Sequence, residues 1–351
     1  MEEWKKEHRN KLEISFSRIG TWKRCLKRYF YKYVDRLSPK KRPRLPRMGS
    51  MGHKALSANY KDEDWRKAIE EIWDEQLGNY PFPITDEQKE EKEFIEKIVE
   101  RYFDQHKYFR HPDEFDFIDP ETRYSVPIPN INGVNLMGYM DKIIKVPGEG
   151  LWLIEHKFTT VGLEKFVENL ELKEQIDYYI WAMKQMFPDE KVMGCIFNVI
   201  RLKLPGVPNV LKNGKRLSKA KITTDYDTYY NAIIENDFDP ADYQDMLMKL
   251  ENQDDPFFLT AWAERSDCEI DDVEKELQYC AIEIQKTIFP IRNRNMGQCS
   301  WDCSFKDLCL IERKGGDVEG YIEEHFDEYV PSSRETEEEE ADEEKIEEKP
   351  F

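Results

Sequence analysis

Apolar residues fall into two rhythms along this chain. Between residues 122 and 202 they come in short dense runs, and in most other stretches they recur every three to four positions. The dense runs predict strands at 122–129, 136–146, 151–158 and 191–202. The second and third form a hairpin joined by Pro147-Gly148-Glu149-Gly150. The helical rhythm predicts a helix over 17–36, capped by Ser15 or Ser17, with Trp22, Leu26, Tyr29 or Phe30, and Tyr33 on one face and most of its Lys and Arg on the other. A Pro-, Lys- and Arg-rich loop at 38–50 follows, and Gly49-Ser50-Met51-Gly52-His53 opens the next helix. Residues 62–110 read as helices. A helix over 163–187 carries an apolar stripe at Leu172, Ile176, Tyr179, Ile180, Met183 and Phe187. Residues 205–222 read as an exposed loop, and 225–250 and 269–288 as further helices.

Length and composition narrow this picture. With 351 residues, the chain can build one large domain or two small ones. The expected division is a loose charged N-terminus at 1–13, a folded domain at 14–330, and an acidic low-complexity disordered tail at 331–351. No apolar run approaches the ~20 residues that span a bilayer, and Met1-Glu2-Glu3-Trp4-Lys5-Lys6 lacks an apolar signal core. A cytoplasmic protein with no membrane partner is expected. The formal net charge is −19, but its distribution is uneven. Residues 334–351 hold ten acidic and three basic side chains, whereas residues 23–47 hold eleven basic side chains and one acid. Such a local patch can bind a polyanion inside an acidic protein, or be solvated surface. The seven cysteines are an odd number in a chain with no secretion signal, which argues against a disulfide framework. Cys299-x3-Cys303-x5-Cys309 suggests a metal or cluster instead. Cys195 and Cys280 read as ordinary buried thiols, and Cys268 has no assigned role. The chain contains no Gly-x4-Gly-Lys-Ser/Thr phosphate loop, so any helicase activity must come from a partner.

The chemistry concentrates in the hairpin. Its second strand is apolar on both faces until Glu155 and Lys157, which share a face with Leu151 and Leu153. Asp141 interrupts the preceding strand in the same way. Such side chains are rarely buried unless paired or used. Two carboxylates and an ammonium at strand ends suit metal-assisted phosphodiester hydrolysis, the carboxylates holding a hard cation and the lysine orienting water or offsetting charge. A buried salt-bridge network is the alternative.

The pattern Asp141…Glu155-x-Lys157 resembles the PD-(D/E)XK nuclease superfamily. Gln175-x3-Tyr179 after that strand, with His53 and the cysteines, makes the chain similar to its RecB-like branch. That branch includes CRISPR-associated adaptation nucleases, AddAB-type nucleases and phage exonucleases. The resemblance implies an α/β restriction-endonuclease-like core, a mixed central sheet flanked by helices, with a helical insertion at about 62–110 and a cysteine-clasped region at 299–309. It implies that His53, Asp141 and Glu155, with the backbone carbonyl of His156, hold Mg²⁺ or Mn²⁺, and that Gln175 and Tyr179 help position the strand and the catalytic groups. The side chain of His156 faces away from Lys157 and receives no role. Cys25 would join Cys299, Cys303 and Cys309 around a 4Fe–4S cluster, with Zn²⁺ as the alternative. The implied activity is a metal-dependent DNA exonuclease acting on single strands or DNA ends in recombination, replication or repair, a phage role included. The competing expectations are a cluster-stabilised DNA-binding subunit with little activity of its own and a CRISPR adaptation factor. Partners would be DNA and a helicase or single-strand-binding protein. The tail ends in Pro350-Phe351 and loosely resembles the acidic tips of single-strand-binding proteins. It either recruits a partner, competes with DNA for residues 23–47, or only solubilises.

Overall fold

The computed structural model describes residues 12–40, 44–77, 83–105, 116–212, 214, 216–218, 222–301 and 303–329. The chain enters through β1 (Leu12–Ile14), α1 (Phe16–Arg24), the single turn α2 (Leu26–Tyr29), a π-helical turn (Phe30–Val34) and β2 (Leu37–Pro39). Three helices follow: α3 (Arg44–Tyr60), α4 (Trp65–Leu77) and α5 (Asp86–Gln105). The central segment holds β3 (Asp116–Pro127), β4 (Val134–Val146), β5 (Gly150–Thr159), α6 (Leu163–Glu168), α7 (Glu174–Met186) and β6 (Val192–Arg201). A small helical module, α8 (Tyr226–Glu235) and α9 (Gln244–Glu251), precedes β7 (Phe258–Ala263) and the long α10 (Asp267–Lys286). The chain closes with α11 (Met296–Trp301), α12 (Lys306–Arg313), α13 (Val318–His325) and β8 (Phe326–Glu328).

Six strands make one mixed sheet, as expected of the restriction-endonuclease-like core. β3 pairs antiparallel along nearly all of β4, from Asp116↔Lys145 to Pro127↔Asn135. The other edge of β4 is therefore shared. β1 takes it in parallel at Val134–Leu136, and β5 takes it antiparallel from Lys142↔Ile154 to Val146↔Gly150. Between those two partners, residues 137–141 of β4 face a gap. β5 meanwhile runs parallel to β6 along its full length, so the hairpin opens where β5 leaves β4 for β6.

Alternation along β5 feeds two layers. Leu151 and Leu153 join a core with Cys195, Phe197 and Val199 under α7 and α10, while Trp152 and Ile154 pack with Ile144 and Ile196 on the opposite face. The helices α3, α4 and α5 build a second core that reaches Ile200, Leu202 and Phe258 at the ends of β6 and β7. Arg47 of α3 and Glu91 of α5, both buried, form an ion pair at 2.5 Å that locks these helices together. Removing one partner of such a pair leaves an uncompensated charge and costs about 3–5 kcal/mol. The chain ends meet in a smaller cluster of Tyr31, Phe305, Leu308 and Phe326, with β2 and β8 paired beside it.

The structure corrects several expectations. Ser15 does cap the first helix, accepting from the Arg18 N–H at 3.2 Å, but the helix over 17–36 is broken at Cys25, which has extended backbone (φ −164°). Leu12 and Glu13 of the expected loose N-terminus form a strand, and residues 1–11 lie outside the described residues. The helix bearing His53 begins at Arg44, so Gly49 and Gly52 lie within it rather than ahead of it. The helix over 163–187 is split into α6, a 3₁₀ turn and α7, and Leu172 is 79% exposed rather than part of the apolar stripe. Cys195 and Cys280 are buried as expected. The tail at 331–351 lies outside the described residues. Among the described residues no helix is long and apolar enough to cross a membrane.

Candidate functional site

The expected catalytic residues converge at the gap beside β4. Where the β4–β5 ladder ends, a side chain replaces the backbone: the carboxylate of Asp141 accepts the His156 N–H at 2.8 Å. On its other side the same oxygen meets Nδ1 of His53 at 3.2 Å. Burial alone would raise the pKa of Asp141, but His53 and His156 outweigh it and hold the carboxyl below the usual carboxylate range.

Gly52 sets where His53 stands. A Cβ on Gly52 would lie 2.2 Å from the Phe158 ring, so the absent side chain lets α3 lie against the end of β5. The Phe158 ring then meets the imidazole of His53 edge-on, with centroids 5.5 Å apart.

Across the gap, Gln175 at the start of α7 gathers the other groups. Its amide nitrogen donates to Glu155 at 3.2 Å and to the Tyr179 hydroxyl at 2.8 Å, and its carbonyl accepts from Lys157 at 3.4 Å. Helical spacing puts Gln175 and Tyr179 on one face, and strand spacing puts Glu155 and Lys157 on the face they address. Glu155 is 4% exposed. Both carboxylates, after burial itself, push up the Tyr179 hydroxyl and the Cys195 thiol, so negative charge is concentrated inside the sheet.

His156 points the opposite way, toward the helical insertion, as strand alternation requires. Its Nε2 lies 2.7 Å from the Tyr60 hydroxyl, and its ring sits edge-on to Tyr102, whose hydroxyl accepts from Asn198. Burial, reinforced by His53 and Lys142 and opposed by Asp141, pushes its pKa down to about 4, so the ring is neutral at pH 7. Nδ1 has no hydrogen-bond partner among the described residues. Lys142 lies 3.8 Å from the centroid of the Tyr60 ring, and burial pushes its pKa down to about 8.

Sequence reasoning missed Tyr124 on β3. It is 2% exposed, its phenol occupies the place a Cβ on Gly138 would take, and its ring stands edge-on to Tyr179. Burial first and Glu155 second raise its pKa, which keeps the hydroxyl protonated. That hydroxyl has no partner among the described residues. Gly138, three residues before Asp141, was the available signal that a bulky neighbour crosses β4.

The donor set of two buried carboxylates and an imidazole suits a hard or borderline divalent cation. As the side chains stand, no three His, Cys, Asp or Glu among the described residues are close enough to hold a metal ion.

Cys25, Cys299, Cys303 and Cys309 lie in the region where the two chain ends meet, and all are free thiols. The break at Cys25 is stitched to the segment before α11. Lys27 N–H donates to the Ile291 carbonyl, and the Asn293 side chain donates to the Arg24 carbonyl. Asn293 N–H donates to Cys25 Sγ at 3.4 Å, while its carbonyl accepts from Cys299 Sγ at 3.6 Å. Burial raises the pKa of Cys303, and Cys299 and Cys25 add to the rise. Cys309, like Cys303, packs against the cluster of Tyr31, Phe305, Leu308 and Phe326.

The basic segment 23–47 is tied into the fold by several of its side chains. Its described cations are largely held by the chain itself. Lys23 pairs with Glu174 and Glu276, Lys27 with Glu312, Arg36 with Glu328 and Arg47 with Glu91. Arg24 and Lys40 donate to the carbonyls of Gln298 and Glu323.

A family model described as the PD-(D/E)XK nuclease superfamily matches residues 13–310, most of the chain. No curated protein matches. A solved structure described as "Crystal structure of SSO0001" is similar over 81% of this chain and 91% of that chain, at 14% identity and a TM-score of 0.25, too low to carry an argument.

Proposed function

We propose that this chain, which belongs to the PD-(D/E)XK nuclease superfamily, is a metal-dependent DNA exonuclease of the RecB-like type. Membership itself makes it a nuclease of that superfamily, and the DNA substrate, the attack on single strands or ends and the cofactors are the proposal. One observation carries it: Gln175 joins Glu155, Lys157 and Tyr179 in one hydrogen-bonded set, across the gap from Asp141 and His53.

In this reading His53, Asp141, Glu155 and the backbone carbonyl of His156 would hold Mg²⁺ or Mn²⁺. The concentration of buried negative charge around Glu155 and Asp141 fits such an ion. When bound, it supplies an activated water and neutralises phosphate charge. Lys157 offsets the charge that develops at the scissile phosphate, and Gln175 fixes the lysine against Glu155 so that neither reorganises during the reaction. Tyr179 holds the Gln175 amide in orientation. His156 keeps its neutral ring on the Tyr60 side, which anchors the backbone on either side of it.

Cys25, Cys299, Cys303 and Cys309 would hold a 4Fe–4S cluster, with Zn²⁺ as the alternative. Four free thiols from both chain ends are the donor chemistry such a group requires. A helicase or single-strand-binding protein would deliver the DNA.

The test uses anaerobically purified protein with 5′-labelled and 3′-labelled single strands in Mg²⁺, Mn²⁺ or EDTA. Release of mononucleotides or short oligomers, abolished by EDTA and by Asp141→Ala in a chain that still folds, is expected. Cleavage surviving Asp141→Ala refutes the site. Binding with no cleavage under any metal refutes the activity and leaves a DNA-binding subunit.

A further inference from the structure

We propose that Tyr60, the last residue of α3, is a positioning residue of the candidate site. It clamps β4 to β5 from the far face of the sheet and so sets the spacing of the two carboxylates. The proposal rests on the nuclease reading above and gives that site a support from the helices α3 to α5.

The need for a clamp follows from the sheet. The β4–β5 ladder ends at Lys142↔Ile154. Asp141 lies one residue past that pair on β4, and Glu155 lies one residue past it on β5, where β5 continues along β6 instead. In place of the ladder, the Asp141 carboxylate accepts the His156 N–H at 2.8 Å. A carboxylate can turn about its own torsions, so this bond sets a distance only if the His156 peptide is itself fixed.

Tyr60 touches the residue that follows each carboxylate. Its hydroxyl lies 2.7 Å from Nε2 of His156, a hydrogen bond in either tautomer of that ring, and the two rings lie 5.6 Å apart at 30°. Its ring meets Lys142 Nζ, 3.8 Å from the centroid. One side chain therefore bridges the two strands where their ladder stops. Strand alternation turns Lys142 and His156 away from the carboxylates, so the clamp lies outside the gap and leaves it open to substrate. Both residues are buried, so water does not compete for these contacts.

The helix is registered for the task. His53 and Tyr60 are seven residues apart, two turns of helix, and share one face of α3. His53 meets Oδ2 of Asp141 at 3.2 Å. Tyr60 holds the residue whose N–H donates to that same oxygen. α3 thus addresses Asp141 twice, once directly and once through the β5 backbone. The ion pair of Arg47 with Glu91 and the packing of Met51 and Leu56 fix α3 in turn.

The test uses the full-length protein and Tyr60→Phe, which keeps the ring on Lys142 and loses the hydroxyl. Ile95→Val, which thins the same helical core by one methyl, is the comparison. Hydrogen exchange is read first, in metal-free protein. Tyr60→Phe should speed exchange of the His156 amide about 10-fold, for one buried hydrogen bond lost beside it, while the amides of 151–154 hold. Mn²⁺ alone is then titrated by calorimetry, and Tyr60→Phe should weaken its binding about 10-fold, as loss of a group that orients a ligand does. On a labelled single strand kcat should fall and KM should hold. Ile95→Val should lower the melting temperature and move none of these. An unchanged His156 amide and unchanged Mn²⁺ affinity in Tyr60→Phe overturn the clamp. Equal losses in Ile95→Val overturn it as well, by assigning the effect to general loosening of the helices. A parent that binds no Mn²⁺ and cuts no DNA refutes the nuclease reading, while the exchange measurement still decides the clamp.

Discussion

At the scale of single residues, the site depends on side chains that are absent at Gly52, under the Phe158 ring, and at Gly138, under the Tyr124 phenol. Gly52→Ala forces a methyl into the Phe158 ring, displacing the helix that carries His53 or the strand that carries Glu155 and Lys157. Overpacking of this kind costs about 1–3 kcal/mol. The variant should melt at a lower temperature and bind Mn²⁺ more weakly, both by calorimetry. Adding Phe158→Leu should recover much of both losses, because it makes room for the methyl. Failure of that second change to recover anything would mean that Gly52 is needed for another reason. Gln175 acts through what it holds. Gln175→Ala leaves Lys157 and Glu155 without their shared anchor, and the expected loss is roughly 10²-fold in kcat with little change in melting temperature. Tyr124→Phe removes a buried hydroxyl with no partner among the described residues, so it should leave stability unchanged or slightly improved. A fall in kcat at unchanged stability would show that the hydroxyl addresses bound substrate. Asp141, Glu155 and Lys157 were legible because charged residues interrupt apolar strands. Tyr124 was not, because a tyrosine on an alternating strand looks like any core residue.

At the scale of elements, β3 to β6 were legible, whereas β1, β2, β7 and β8 were not, and the helices were legible only in part. Short dense apolar runs bounded by turn residues placed β4, β5 and β6 to within a few residues. Helical periodicity cannot register a one-residue break, so the single helix expected over 17–36 concealed the extended residue at Cys25. Likewise, two glycines looked like a helix start, although the helix had already begun at Arg44. The basic face of 17–36 carried a third ambiguity. Charge in a sequence does not reveal its counter-charges, and Glu312, about 285 residues away, neutralises Lys27. Glu312 also accepts from Tyr31 and pairs with Arg292, fastening α12 to the N-terminal turns. Burial would raise its pKa, but Lys27, Tyr31 and Arg292 hold it below its ordinary 4.5. A carboxyl with a depressed folded pKa stabilises fully above its unfolded value, and that contribution is lost as pH falls through the folded value. Glu312→Gln should therefore lower the melting temperature at pH 7, and the gap from the parent should close below pH 4.5 in thermal melts across that range. A gap that persists at lower pH would assign the loss to packing.

At the scale of the molecule, stability is distributed unevenly between the sheet and the region where the chain ends meet. The sheet core gathers residues from β1 to α10, and the insertion core adds Ile69, Trp73, Ile95, Ile98 and Tyr102. The region where the ends meet rests on four buried apolar residues, a three-residue strand pair and a few ion pairs around Glu312. A core that small supplies little free energy, so a group held by Cys25, Cys299, Cys303 and Cys309 would contribute much of the closure there. Cys25→Ser, or removal of the group with a chelator, should leave amides of β4, β5 and β6 protected from hydrogen exchange. Amides of 26–39 and 303–328 should exchange much faster. Since α1 leads from the open end back to β1, and β1 borders the gap that holds Asp141, loosening should reach the site only weakly. Nuclease activity should then survive in the cold and fail on mild heating, before the sheet melts. Uniform exchange throughout, or no change at either end, would show that the two regions do not open separately and that the thiols do not close the chain.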